Sequence, residues 1–187
     1  MVDKVLFSSD MGEWNTPPDL VADMAEVFKW ALDACASGPN VCENYYNAEQ
    51  NSLLKPWRGM VWMNPPYGRG IGKWMQKAVS ETETRYPDTT VVCLVPARTD
   101  TIWWHTAMPH STVVVFIEGR LTFGSHEYWQ QRWYTPTING KPNSLFGKIG
   151  KKNSAPFPSA LIVFGKLETQ AQKARLYSYG WPAWGLK

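Results

Sequence analysis

Three short runs of this sequence are apolar almost without interruption: Gly59-Met60-Val61-Trp62-Met63, Thr90-Val91-Val92-Cys93-Leu94-Val95 and Thr112-Val113-Val114-Val115-Phe116-Ile117. A strand with one wet face alternates polar and apolar residues; a strand that does not alternate is buried on both faces, as in a helix-covered, mostly parallel sheet. Each run leads into loop-forming residues, namely Asn64-Pro65-Pro66-Tyr67-Gly68, Pro96-Ala97-Arg98-Thr99-Asp100 and Glu118-Gly119-Arg120. Ile71, Trp74, Met75 and Ala78 recur at helical spacing within 70–84, and 101–107 suits a short helix. Upstream, Leu20, Met24, Val27, Phe28 and Ala31 predict an amphipathic helix over 18–31. Thr16 is the expected N-cap, the prolines suit the first turn, and Asp19 completes a capping-box-like pattern. Residues 32–36 read as a short strand ending in Ser37-Gly38-Pro39-Asn40, and 159–164 as one further strand. The alternation of strands and helices argues for an α/β, doubly wound fold. The aromatic stretch 177–187 receives no assignment.

Its 187 residues suit a single domain, 1–187, with 124–158 as an insertion between two sheet strands. That insertion breaks the strand–helix rhythm and carries Arg132, Lys141, Lys148, Lys151 and Lys152. The net charge of +3 conceals an uneven split, −4 over 1–93 and +7 over 94–187. A basic half suggests a face that meets a polyanion, or simply a solvated basic surface. No apolar run of membrane-spanning length occurs, and the first residues lack a signal-peptide layout, so a protein in the cytoplasm of a cell or of an infected host is expected. Cys35, Cys42 and Cys93 read as reduced thiols, and His105, His110 and His126 lack metal-ligand spacing, so no metal is expected. Nothing in the sequence fixes an oligomeric state.

Asn64-Pro65-Pro66-Tyr67 follows a buried strand, at the sheet edge where open α/β folds bind ligands. Two prolines remove backbone donors and force a rigid extended turn. The Asn64 side-chain oxygen and the Pro65 carbonyl remain as convergent acceptors beside an aromatic face. That set suits a primary amine on a flat ring: both N–H bonds are accepted, and Tyr67 stacks on the ring. An aromatic amine is a poor nucleophile because its lone pair is delocalised. Accepting both hydrogens favours a pyramidal nitrogen whose lone pair can meet an electrophilic methyl, so Asn64 orients and stabilises charge and is not a base. Read as a string alone, the four residues fit a structural turn equally well.

The chain resembles the phage-type DNA N6-adenine methyltransferases (phage Dam-like). The resemblance rests on Trp14-x-Thr16-Pro17, Asp33-Ala34-Cys35-Ala36, Trp62-Met63-Asn64-Pro65-Pro66-Tyr67, Leu94-Val95-Pro96-Ala97-Arg98-Thr99-Asp100-Thr101-x-Trp103-Trp104, Gly119-Arg120-Leu121-x-Phe123 and Ala155-Pro156-Phe157-Pro158-Ser159-Ala160, in that order. It implies a Rossmann-like methyltransferase core, a mostly parallel doubly wound sheet with an antiparallel C-terminal strand. It further implies S-adenosyl-L-methionine as methyl donor and adenine in double-stranded DNA as substrate. Asn64, Pro65, Pro66 and Tyr67 would be the catalytic tetrapeptide. Trp14, Thr16 and Pro17 would close over the methionine end of the cofactor; Asp33, Cys35 and Ala36 would sit at its amino-acid part. Asn51 stands where relatives carry an acidic residue, and its amide would hydrogen-bond the cofactor there. No glycine-rich loop follows Asp33, a departure from the wider superfamily. Arg98, Arg120, Lys148, Lys151 and Lys152 are the expected DNA contacts. The amine would reach the motif only from a base flipped out of the duplex. Cytosine N4, RNA or protein amino-methylation remain alternatives, as does a non-catalytic DNA-binding protein on a methyltransferase core.

Overall fold

A computed structural model describes residues 15–36, 41–124, 126–129, 136–144 and 154–184. Its six-stranded sheet contains β1 (Leu32–Asp33), β2 (Met60–Met63), β3 (Thr90–Pro96), β4 (Val113–Ile117), β7 (Ser159–Phe164) and β8 (Gly180–Trp184), in the order β1-β2-β3-β7-β4-β8. A small separate hairpin pairs β5 (Thr137–Ile138) with β6 (Lys141–Pro142). The helices are α1 (Pro18–Ala25), α2 (Ile71–Ser80), α3 (Ile102–Ala107), α4 (His126–Trp129) and α5 (Gln170–Tyr177). None is long and apolar enough to cross a membrane.

The α/β class matches the sequence expectation, but the sheet is more mixed than expected. Strands β1, β2 and β3 are parallel neighbours, whereas β7 pairs antiparallel with both β3 and β4, and β8 antiparallel with β4. Four strands therefore point one way and two the other, with β7 in the middle of the sheet. Both faces are covered, which explains the missing alternation. Val91, Cys93 and Val95 pack toward α2 and α3, while Val92 and Leu94 pack toward α1 and α5. All are fully buried.

Helix α1 stops at Ala25, short of the expected residue 31. Beyond it the chain turns, the Phe28 amide still bonding the Met24 carbonyl at 2.9 Å, and Phe28 stays buried outside the helix with its ring stacked on Trp30 at 4.9 Å. Apolar spacing therefore persisted where the helix did not. Strand β1 is two residues long, and its side away from β2 is bonded by the 44–46 segment: the Asp33 and Ala36 amides meet the Asn44 and Tyr46 carbonyls. Thr16 does not cap α1; Pro17 stands at the cap without a side-chain bond. The unassigned C-terminal region supplies β8, an edge strand that tolerates Pro182 because one of its sides needs no ladder partner. Helix α5 before it opens on a capping box between Thr169 and Gln172. At the far end of the sheet, the fully buried Glu81 accepts from the Trp57 amide at 2.9 Å and pairs with Lys77, fastening the loop that precedes β2.

Candidate active site

Strand β2 ends at Met63, and the next four residues leave it as an extended turn with Asn64 half-buried, Pro65 buried, Pro66 exposed and Tyr67 half-buried. The Asn64 amide is oriented by an acceptor far away in sequence. Thr16 Oγ1 accepts from the Trp62 indole N–H at 3.2 Å and from Asn64 Nδ2 at 3.2 Å. An indole nitrogen can only donate, so the hydroxyl oxygen must accept there. With Nδ2 turned to Thr16, Asn64 Oδ1 faces the other way. Thr16→Val is expected to strand both donors and lower stability by about 1–3 kcal/mol. Thr16→Ser should restore most of it in a urea melt, and an unchanged midpoint for valine would refute the role of this acceptor.

Tyr67 donates its hydroxyl to Asn64 Oδ1 at 2.7 Å and lies 3.3 Å from the Leu94 carbonyl oxygen. Its ring meets Phe123 and Phe157 nearly at right angles, with centroids 5.9 and 5.5 Å away. The loop geometry explains this placement. Asn15 bonds the Gly124 carbonyl, Ala155 bonds the Leu121 carbonyl, and Ala97 bonds the Pro158 carbonyl, so both phenylalanines are carried to the end of β3. Burial pushes the Tyr67 phenol well above its ordinary range, which keeps it a donor. Sequence reasoning gave Tyr67 a stacking role; here the phenol holds Asn64 and the ring is boxed by two phenylalanines. Phe123 and Phe157 lay within recognised segments, but nothing local announced their contact with Tyr67.

Asp33 ends β1, and Ala34 bonds the Trp62 carbonyl at 2.9 Å, so Asp33 and Asn64 stand at the carboxyl ends of adjacent parallel strands. The Asp33 side chain is 3% exposed, and its Oδ1 accepts from the Cys35 amide at 3.1 Å. Burial pushes its carboxyl up to about 7, with the Cys35 N–H offsetting part of the shift. No ion pair to Asp33 exists among the described residues. A nearly buried acid without a cation fits a ligand that brings one. Ala36 is buried behind it, and the Cys35 thiol is held protonated by burial and by Asp33. Asn51 is exposed and left-handed at φ 48, opening a turn fastened to Trp57 by way of Ser52 and not to Asp33. Trp14, Lys148, Lys151 and Lys152 lie outside the described residues.

Arginines follow the parallel strands at this edge. Arg98 is half-exposed in the turn after β3, and Arg120 is exposed after β4. Arg120 also lines a cavity of about 390 Å³ with Pro17, Asp19, Trp129 and Tyr179. Arg69, exposed after β2, completes the series and escaped the sequence reading, although it lies two residues past Tyr67. None of the three forms an ion pair among the described residues.

Comparison with known proteins gives two matches. A family model described as DNA N-6-adenine-methyltransferase (Dam) matches residues 5–171. The DNA N-6-adenine-methyltransferase of Escherichia phage T1 is 36% identical over 114 residues, which cover 58% of this chain and 46% of that protein. The aligned part thus spans about half the length of that relative.

Proposed function

The chain belongs to the DNA N-6-adenine-methyltransferase (Dam) family, and on that premise we propose that it transfers a methyl group from S-adenosyl-L-methionine to N6 of an adenine flipped out of double-stranded DNA. The observation that carries the reading is the pairing, on adjacent strand ends, of an oriented Asn64 amide with a buried Asp33 carboxylate. In this reading the fold is a Rossmann-like methyltransferase core, 1–187 is one domain, and 124–158 reads the DNA.

The methyl donor supplies, when bound, a methyl group on a cationic sulfur. Asp33 would hold its α-ammonium, and Thr16, Pro17, Cys35 and Ala36 would line its approach. The buried carboxylate supports this fit: a cation beside it removes the energetic reason for its raised pKa. Thr16 keeps Nδ2 of Asn64 turned away from substrate, so Oδ1 accepts one N–H of the incoming amine and the Pro65 carbonyl accepts the other. A carbonyl oxygen has two lone pairs, so Oδ1 can take the amine while Tyr67 still donates to it. That shared bond sharpens the placement of the oxygen. Asn64 removes no proton; the nitrogen loses one to solvent after it has gained the methyl group. Arg98 and Arg120, with the lysines at 148, 151 and 152, would meet the phosphates.

The direct test incubates the purified chain with labelled S-adenosyl-L-methionine and unmethylated DNA, then analyses nucleosides by mass spectrometry. N6-methyladenine is the expected product; N4-methylcytosine, or no methylated nucleoside, overturns the reading.

A further inference from the structure

Among the described residues Ile102 is the most exposed large apolar side chain, at 85%. A single exposed isoleucine is ordinary. Its surroundings are not. Ile102 opens α3 immediately after a turn in which the Arg98 carbonyl accepts from the Thr101 amide at 3.1 Å and from the Thr101 hydroxyl at 2.7 Å. That turn leaves β3, the strand whose Leu94 carbonyl receives Tyr67. On the other flank, α2 begins after Gly68, Arg69 and Gly70, all exposed. The first turns of the two helices abut: a Cβ on Gly72 would lie 3.3 Å from the Trp103 Cβ. Ile102 therefore lies exposed at the carboxyl edge of the sheet, where Arg69 follows β2 and Arg98 follows β3 and where β2 delivers Asn64. Asp100 is the acidic group of that turn, and the two arginines outweigh it.

The mounting is rigid. Trp103 packs against Trp104 at 5.6 Å, and Trp104, 6% exposed, stacks on Phe116 at 6.0 Å. The other strongly exposed apolar side chains differ in setting. Leu54 sits in the turn fastened to Trp57, and Trp181 lies on the edge strand β8.

Resting on the base-flipping reading above, we propose that Ile102 is the side chain that enters the duplex where the target adenine leaves, with Arg69 and Arg98 gripping the phosphates beside it. A base that leaves the stack opens an apolar gap and strips its partner of a pairing edge. An apolar wedge on a rigid helix start fills that gap, restores contact with the neighbouring bases and keeps the target from returning. Arg69 joins Arg98 in this role as a phosphate contact.

The test uses the full chain with Ile102→Ala and Ile102→Met, in single-turnover methylation of two duplexes containing the mapped target site. One duplex pairs the target adenine with thymine; the other places it opposite an abasic site, where little remains to be opened. Ile102→Ala is expected to slow methylation of the paired duplex roughly 30-fold, and to stay within about threefold of wild type opposite the abasic site. Ile102→Met should behave as wild type, and the melting temperature should not move, since the side chain is exposed. Alanine matching wild type on the paired duplex, or slowing both duplexes equally, overturns the wedge while wild-type activity keeps the methyltransferase reading intact. A wild-type chain inactive on both duplexes removes that reading and the wedge together.

Discussion

Asn64→Ala is expected to lower the methylation rate constant on the order of 10³-fold while the chain stays folded, at a stability loss of about 1 kcal/mol because the Tyr67 hydroxyl can turn to the Leu94 carbonyl. The side chain is half-buried and stands outside the sheet ladder, so little packing is lost. What disappears is the acceptor that holds one N–H of the amine out of the ring plane, an interaction that strengthens as positive charge builds on the nitrogen. The loss should appear in the rate constant and not in cofactor affinity, because Asp33 is untouched. Asn64→Asp keeps an oxygen toward the amine but turns a second oxygen on Thr16, whose hydroxyl must then rotate to donate. It should recover part of the rate. Alanine at more than a tenth of the wild-type rate would remove Asn64 from the chemistry.

Asp33→Asn is expected to act in opposite directions on cofactor binding and on stability. In the unfolded chain this carboxyl ionises near 3.8, and in the folded chain near 7. The folded state is therefore favoured most below about pH 4, loses stability as pH rises toward 7, and stays at the lower level above that. At about 1.4 kcal/mol per unit, the roughly three-unit difference amounts to about 4 kcal/mol at pH 8. Asparagine removes that penalty, so the cofactor-free variant should be the more stable protein at pH 8 and no more stable at pH 4. Calorimetry should show S-adenosyl-L-methionine binding about 10²-fold more weakly to it, since the ammonium loses its charged partner. For the wild type, cofactor affinity should decline as pH falls through 7, where the carboxyl must be deprotonated to bind. An Asp33→Asn chain that binds cofactor as tightly as wild type would exclude this carboxylate from the cofactor site.

The sheet and the tetrapeptide were legible because they are local. Runs such as 90–95 announce burial on both faces, and two prolines after a strand announce a rigid exit. The helix at 18–31 was over-read because Phe28 keeps the helical interval and stays buried although the helix has given way to a turn. The capping box at Thr169 and Gln172 was present in the sequence, whereas β8 carries Pro182 and lacks the usual strand signal. The least legible part was the machinery around Asn64. That Thr16 serves Asn64 and Trp62 instead of capping a helix, and that Phe123 and Phe157 close on Tyr67, depends on contacts between segments far apart in sequence. Asp33 read as a cofactor residue by resemblance alone; its burial emerged only when the 41–46 segment folded over it.

Strands β4 and β7 are antiparallel neighbours, a pair that a two-residue turn could join, yet residues 118–158 connect them. Their register is set by their own ladder, Val113 against Val163 through Phe116 against Ala160. The closure entropy of such a connection changes by only about 0.6 kcal/mol for each doubling of its length. Changes of length that spare Phe123, Trp129, Ala155 and Phe157, which pack in the core or against Tyr67, therefore carry a small thermodynamic cost, and Asn64 and Asp33 keep their positions on strands elsewhere in the sheet. On the proposed reading, in which residues 124–158 meet the DNA, the fold keeps its chemical edge on one set of strands and its reading edge on a connection, so that relatives could change the DNA they read by altering the connection and leaving the strands as they are.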